Sequence, residues 1–142
     1  MLLNAVEPSG ANEGRPGQVF VTQIEFDVGD GLEVAMGGGR ARFLPKTQVD
    51  PEYSTQTGKR ADGRNLAKEW TKRYGAGSAY VWKQSQFDAI DPTKTDHLLG
   101  LFEPSHMQYE VDRDKTAKGE PSLAAMTEKA IKILQQNPKG FY

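Results

Sequence analysis

The sequence contains no cysteine. That excludes disulfides, thiolate zinc sites, thiol catalysis and iron–sulfur ligation. Histidine is scarce: His97 and His106 are the two imidazoles in 142 residues. Two are too few for a multinuclear zinc site, so a metal bound by this chain is expected to take oxygen ligands. Charge of one sign is lacking as well. Eighteen Lys and Arg against nineteen Asp and Glu leave a formal net charge of −1, which argues against nucleic-acid binding by bulk positive potential. No apolar run approaches the roughly 18 residues of a membrane-spanning helix. The start Met1-Leu2-Leu3-Asn4 has neither a basic segment nor a long apolar one, so it does not read as a signal peptide. The remainder, 37% hydrophobic and 26% charged, fits one globular domain.

Punctuation by glycine and proline divides the chain. Pro8-Ser9-Gly10, Gly14 and Pro16-Gly17 break any period, so Met1 to Gln18 reads as an irregular leader. Val19 to Ile24 is a possible strand and Gly29-Asp30-Gly31 a turn. Leu32 to Met36 is expected as a short buried strand ending at Gly37-Gly38-Gly39. From Pro45 to Gly63 a long irregular loop is expected, a length that in compact domains is usually functional or disordered. Asp62 is placed to cap a helix that buries Leu66, Trp70 and Arg73 or Tyr74 and stops at Gly75. Tyr80 to Trp82 reads as a strand, Gln86 to Ile90 as a helical turn, and His97 to Phe102 as a second buried strand. Glu120-Pro121 is expected to open a helix with proline at its first position. Leu123, Met126, Ala130, Ile133 and Leu134 would form its core face. After Asn137-Pro138, Lys139 to Tyr142 reads as the beginning of a further strand.

Several residues invite a functional reading, and each has a plainer one. Gly37-Gly38-Gly39-Arg40 has glycines and a cation after a strand, but neither phosphate-loop spacing; a tight turn is expected. Asp112-x-Asp114 starts like a calcium loop and then lacks the third ligand and the closing Glu; an acidic turn is expected. His97 and His106 lack a partner at zinc spacing and read as structural histidines. Lys59, Arg60 and Arg64 form a small basic cluster without aromatics, a solvated surface. No serine stands in a recognisable nucleophile motif.

Taken together and in order, longer stretches resemble the alkaline phosphatase family. They are Asp30 to Arg40, Asp50-Pro51-Glu52-Tyr53, Asp62 to Leu66 with Glu69-Trp70, and Tyr80-Val81-Trp82. Leu99 to Pro104 with Met107 and Tyr109-Glu110, Pro121 to Leu123, Met126 to Ile131 and Asn137 to Phe141 complete the series. The resemblance spans about residues 23–142, with 1–22 set apart as a non-matching leader. It implies an α/β fold: part of a three-layer α/β sandwich with a loop-rich inserted metal-binding lobe. The implied divisions are a core strand segment (23–46), the lobe (47–121), and a core helix with the start of a strand (122–142).

The resemblance also implies a metal-dependent phosphate monoester hydrolase with two zinc ions and one magnesium. The family's serine nucleophile, its phosphate-binding arginine and its zinc ligands match no position here, so the isolated chain is expected to be catalytically silent. A structural calcium site is implied within the lobe, with the carboxylates of Glu52, Glu103 and Glu120 and the carbonyl of Phe102 as ligands. Glu120 stands where the family usually has Asp, and the stretch from Glu103 to Glu120 is longer by about two residues, so Asp112 or Asp114 are alternative ligands. Glu120 also has a metal-free reading, as an acid at a helix N-terminus. A stand-alone, non-catalytic binding module of the same descent is the alternative to a phosphatase segment. Unpaired sheet edges would favour self-association, and the family suggests a periplasmic or extracellular setting.

Overall fold

The computed structural model describes residues 31–141. The leader, the strand expected over Val19 to Ile24 and the terminal Tyr142 lie outside the described residues.

Three short strands form a parallel sheet: β1 (Val34–Gly37), β2 (Ser78–Val81) and β3 (His97–Leu101). Their spatial order is β1-β3-β2. Val34 pairs with Leu98 and Gly37 with Leu101, while Ser78 pairs with His97 and Val81 with Gly100. Parallel neighbours need crossovers, and helices supply them. Helix α1 (Leu66–Tyr74) lies between β1 and β2, and the short α2 (Gln84–Asp88) between β2 and β3. Helix α3 (Leu123–Leu134) closes the described chain.

The pleat sends alternate side chains to opposite faces, and each face has its own core. On one side Ala35, Leu99 and Leu101 pack with Phe43 and with Leu66, Ala67 and Trp70 of α1. On the other, Val81, Leu98 and Phe102 pack with Phe87 of α2 and with Met126 and Ile133 of α3. Helices on both faces of a parallel sheet make a three-layer α/β arrangement. The central β3 is covered on both sides, with Leu98 to Leu101 all buried. That is why its sequence reads as a continuous apolar run rather than an alternating one.

Local chemistry moves several element ends from where the sequence places them. The N-cap of α1 is Asn65, whose side chain accepts from the Lys68 amide. Asp62 does not cap, because its carboxylate is taken by the Arg60 guanidinium and the Arg64 amide. Gly75 ends α1 at φ 66°, as expected for a C-terminal glycine. Ser122 caps α3 by accepting from Ala125 N at 3.1 Å, so Pro121 precedes the cap instead of occupying the first helical position. Leu123 then falls outside the core face and is 73% exposed, whereas Met126 and Ile133 are buried. Lys139 and Gly140 belong to a turn and Phe141 to no strand.

Residues 45–63 form the expected irregular loop, folded back on itself by bridges pairing Pro45 with Arg60 and Val49 with Thr57. Gly58 permits this close return: a Cβ there would run into the Leu44 and Pro45 carbonyl oxygens. The loop leaves the sheet at the C-terminal end of β1. The segment after β3 leaves at the same end, which brings the acidic residues of both into one region.

Candidate functional site

Three glycines follow β1, and the chain then turns at Gly39 with φ 88° into a one-turn 3₁₀ helix, Arg40–Arg42. The amides of this turn are already committed. Gly39 N donates to Ser105 O at 2.6 Å, Arg40 N to Glu103 O at 2.9 Å, and Ala41 N to Pro104 O at 3.2 Å. A phosphate cradle needs open amides, so the segment is a structural turn, as the spacing implied. A Cβ on Gly38 would strike the Ser105 carbonyl, which makes glycine a requirement of this close approach.

The side chain of Arg40 is fully buried. Its Nε and Nη2 make a two-pronged pair with Asp50 Oδ2 and Oδ1, both at 2.9 Å. Nη2 also donates to Glu52 Oε2 at 2.7 Å, and Nη1 to the carbonyls of Leu101 at 3.0 Å and Trp82 at 3.4 Å. A guanidinium has five N–H donors, and these five contacts use them all. The guanidinium also lies over the Trp82 ring, 5.6 Å from its centroid. Burial pushes Asp50 up, but Arg40 and the amides of Glu52 and Tyr53 outweigh it and hold the carboxyl below its ordinary value. Sequence reading passed over this residue as the tail of a turn. The one available signal was a cation set directly behind a buried strand, where solvent is out of reach.

Beyond the arginine the balance of charge reverses. Glu103 ends the central strand segment, 9% exposed, and the Tyr53 hydroxyl donates to its carboxylate at 3.1 Å. Burial raises the Glu103 carboxyl, opposed by Tyr53 and reinforced by the charge of Glu52. Burial, then the Glu103 and Glu52 charges, lift the Tyr53 hydroxyl to about 12, so it stays a donor. Glu120 is 2% exposed. Its Oε1 accepts from Gln108 N at 2.6 Å, while Oε2 is buried with no hydrogen-bond partner. Burial first, then the charges of Glu103 and Glu52, push the Glu120 carboxyl up to about 7. Gln108 spans the two acids, its side chain reaching Glu103 Oε1 at 3.4 Å.

The four candidate ligands thus stand as follows. Glu52, Glu103 and Glu120 come within electrostatic reach of one another, and Phe102, 1% exposed, sits beside Glu103 with its ring in the core. Among the described residues, no three acidic or imidazole side chains are gathered closely enough to hold a metal ion as they stand. Glu120 is not the helix N-cap acid that its sequence position allowed, because Ser122 has that role. The alternative ligands are engaged elsewhere or open to solvent: Asp114 is tied to Thr116 in its own turn, and Asp112 is exposed. His97 stacks on Tyr74 with ring centroids 3.8 Å apart, while His106 lies exposed beside Ser105. The two imidazoles do not converge, so the described donors do not fit a zinc pair. Arg64 pairs with Glu69 and is exposed with Lys59, as a solvated surface, whereas Arg60 pairs with Asp62, donates to the Arg42 carbonyl and is largely buried. No helix among the described residues is long and apolar enough to cross a membrane. What the acidic region offers chemically is a partly desolvated carboxylate cluster with one oxygen unsatisfied, a place for a proton or a hard cation.

Comparison with known proteins matches this arrangement to one family. A family model described as alkaline phosphatase covers residues 4–142. The match starts well before residue 23, and so takes in most of the stretch set apart as a non-matching leader. An alkaline phosphatase of Gadus morhua is 48% identical over 78% of the chain, and the tissue-nonspecific isozyme of Felis catus 42% identical over 98%. A membrane-bound alkaline phosphatase of Bombyx mori is 37% identical over 98%. Those alignments take in 24–26% of each relative, so the chain spans about a quarter of their length. Among solved structures, Thermus thermophilus alkaline phosphatase superposes with a TM-score of 0.60 at 29% identity, over 78% of this chain and 20% of that one. The α/β layers, the ordered motifs and these matches agree: the chain belongs to the alkaline phosphatase family.

Proposed function

We propose that this chain contributes the loop-rich lobe of a phosphate monoester hydrolase, and that the lobe binds calcium as a structural ion. Glu52, Glu103 and Glu120 would supply carboxylate oxygens and Phe102 a carbonyl. A hard cation that takes six to eight oxygens suits such a set, with water completing the shell. The observation that carries the reading is Glu120 Oε2, a carboxylate oxygen buried without a partner. An unmet buried acceptor costs about 1–3 kcal/mol, more when charged. A divalent cation reached by small movements of three flexible glutamates would offset that cost and the mutual repulsion together.

Hydrolysis itself is assigned to the whole protein, where zinc and magnesium would polarise the phosphoryl group and activate the nucleophile. The described residues would contribute the frame rather than the reaction. Zinc- and magnesium-dependent cleavage of a chromogenic phosphate monoester by this chain alone would overturn that division. The calcium reading is tested by melting temperature. Calcium at about 100 times its Kd adds roughly 2.7 kcal/mol, a rise of about 5–11 °C for a domain near this size. Glu103→Gln should abolish most of the rise.

A further inference from the structure

We propose that helix α3 carries a second docking face, and that this face seats the same face of a second copy of the chain. A core-facing helix needs an apolar arc of roughly 100°. At about 100° per residue, the apolar positions of α3 cover about 160°. Met126 and Ile133, buried against the sheet, take one side of that arc. Leu123, Ala130, Ile131 and Leu134 take the other, with Leu123 73% and Ile131 45% exposed. Thr127 lies among them, and its Oγ1 donates to the Leu123 carbonyl at 2.9 Å, so its polar atom is spent on the helix itself. The helix is not free to roll and bury both sides. Lys129 Nζ donates to the Phe87 carbonyl at 2.9 Å and the Ile90 carbonyl at 3.0 Å, and lies 4.7 Å from the Phe87 ring centroid. Those contacts pin the far flank of α3 to α2 and keep the outer stripe presented.

The pattern along the stripe is self-complementary. With two copies antiparallel about a two-fold axis, Leu123 meets the partner's Leu134 and Thr127 the partner's Ile131. Glu128 and Lys132 stand on the flank of the stripe, exposed and paired with each other at 2.6 Å. The same axis brings Glu128 opposite the partner's Lys132 and Lys132 opposite the partner's Glu128. A parallel pairing would instead set like charges together. Charge and apolar spacing therefore select one orientation and one occupant, and the contact leaves the sheet edges out. One pair of 12-residue helices is small beside the roughly 1,600 Å² of a standard interface, so the dimer is reversible and concentration-dependent.

The test is sedimentation velocity of the whole chain over a concentration series. It compares the parent, Ile131→Glu, Glu128→Lys and the exchange Glu128→Lys/Lys132→Glu, all at exposed positions where folding should tolerate the change. The parent should pass from monomer to dimer as concentration rises. Ile131→Glu sets a charge in the apolar contact and should weaken the dimer at least about tenfold. Glu128→Lys creates two like-charge contacts, one on each side of the axis, and should weaken it about two- to tenfold. The exchange should return it to within about twofold of the parent. A parent that stays monomeric throughout would overturn the inference and leave the stripe to another partner. Association that Ile131→Glu does not weaken would overturn it too, by placing the contact elsewhere, as at the sheet edges. Failure of the exchange to restore what Glu128→Lys removes would overturn the antiparallel pairing.

Discussion

Two buried charge clusters lie side by side at the end of the sheet, and they differ in completeness. Around Arg40 every donor has a partner, and the Asp50 carboxyl is held below its ordinary value. Around Glu103 and Glu120 the charges are alike, both carboxyls are raised, and Glu120 Oε2 meets nothing. The first cluster is finished by the chain's own atoms. The second is finished only by something added, either protons or a cation. Burial is common to both, so burial does not distinguish architecture from site; satisfaction of the charges does.

The difference can be broken most forcefully at the finished cluster. Removing one partner of a buried ion pair leaves the other uncompensated and costs about 3–5 kcal/mol. Arg40→Met should lower stability in chemical denaturation by that amount, with or without calcium. A loss under about 1 kcal/mol would mean that Asp50 and Glu52 escape to solvent easily, and the contrast between the clusters would lapse.

The next effect belongs to the unfinished cluster. Calcium should raise the melting temperature of the parent by the 5–11 °C given above and leave Glu103→Gln nearly unmoved. A shift of equal size in both would place the ion elsewhere on the chain.

The pH dependence sharpens the comparison further. Glu120 titrates near 7 in the folded chain against an ordinary value of 4.5. Between those values the folded state keeps a proton that the unfolded state has released, so this group makes stability fall as pH rises. The penalty is absent below about 4.5 and complete above about 7. With a chelator present, Glu120→Gln should therefore melt higher than the parent at pH 8, and the gap should close toward pH 4.5. Asp50 has the opposite sign: its contribution is present at neutral pH and is lost as pH falls through its depressed value. Melting curves across pH 2–8 separate the two, because the Glu120 contribution changes between 4.5 and about 7 and the Asp50 contribution only below 3.8.

The smallest effect is expected from the exposed pair Arg64–Glu69, which is two-pronged like the Arg40–Asp50 pair and differs from it in exposure. Exposed ion pairs contribute about 0–1 kcal/mol, so Arg64→Ala should leave the denaturation midpoint nearly in place. A loss as large as that of Arg40→Met would remove burial from the explanation.

Legibility in the sequence follows the range of the forces involved. The buried β3 and the amphipathic α3 were readable because their signals are periodic and local. Helix starts differ by a few residues from the expectation where two side chains could cap and close neighbours compete for one of them. Asp62 lost to Asn65 because Arg60 and the Arg64 amide claimed it first. The Arg40 cluster was illegible for a different reason, since its partners lie 10, 12, 42 and 61 residues away. The acidic candidates came from the family resemblance, not from spacing. The burial of Glu120 exists only once the 103–120 segment has folded back, tied by Gln108 N to Oε1 and by Arg113 to the Glu120 carbonyl.

The most direct measurement is a calorimetric titration of calcium into the parent and into Glu120→Gln at pH 8, where the Glu120 carboxyl is ionised. The account predicts saturable binding of one ion by the parent, weakened at least about tenfold by the substitution. No binding at millimolar calcium, or equal affinity in the two proteins, would contradict it.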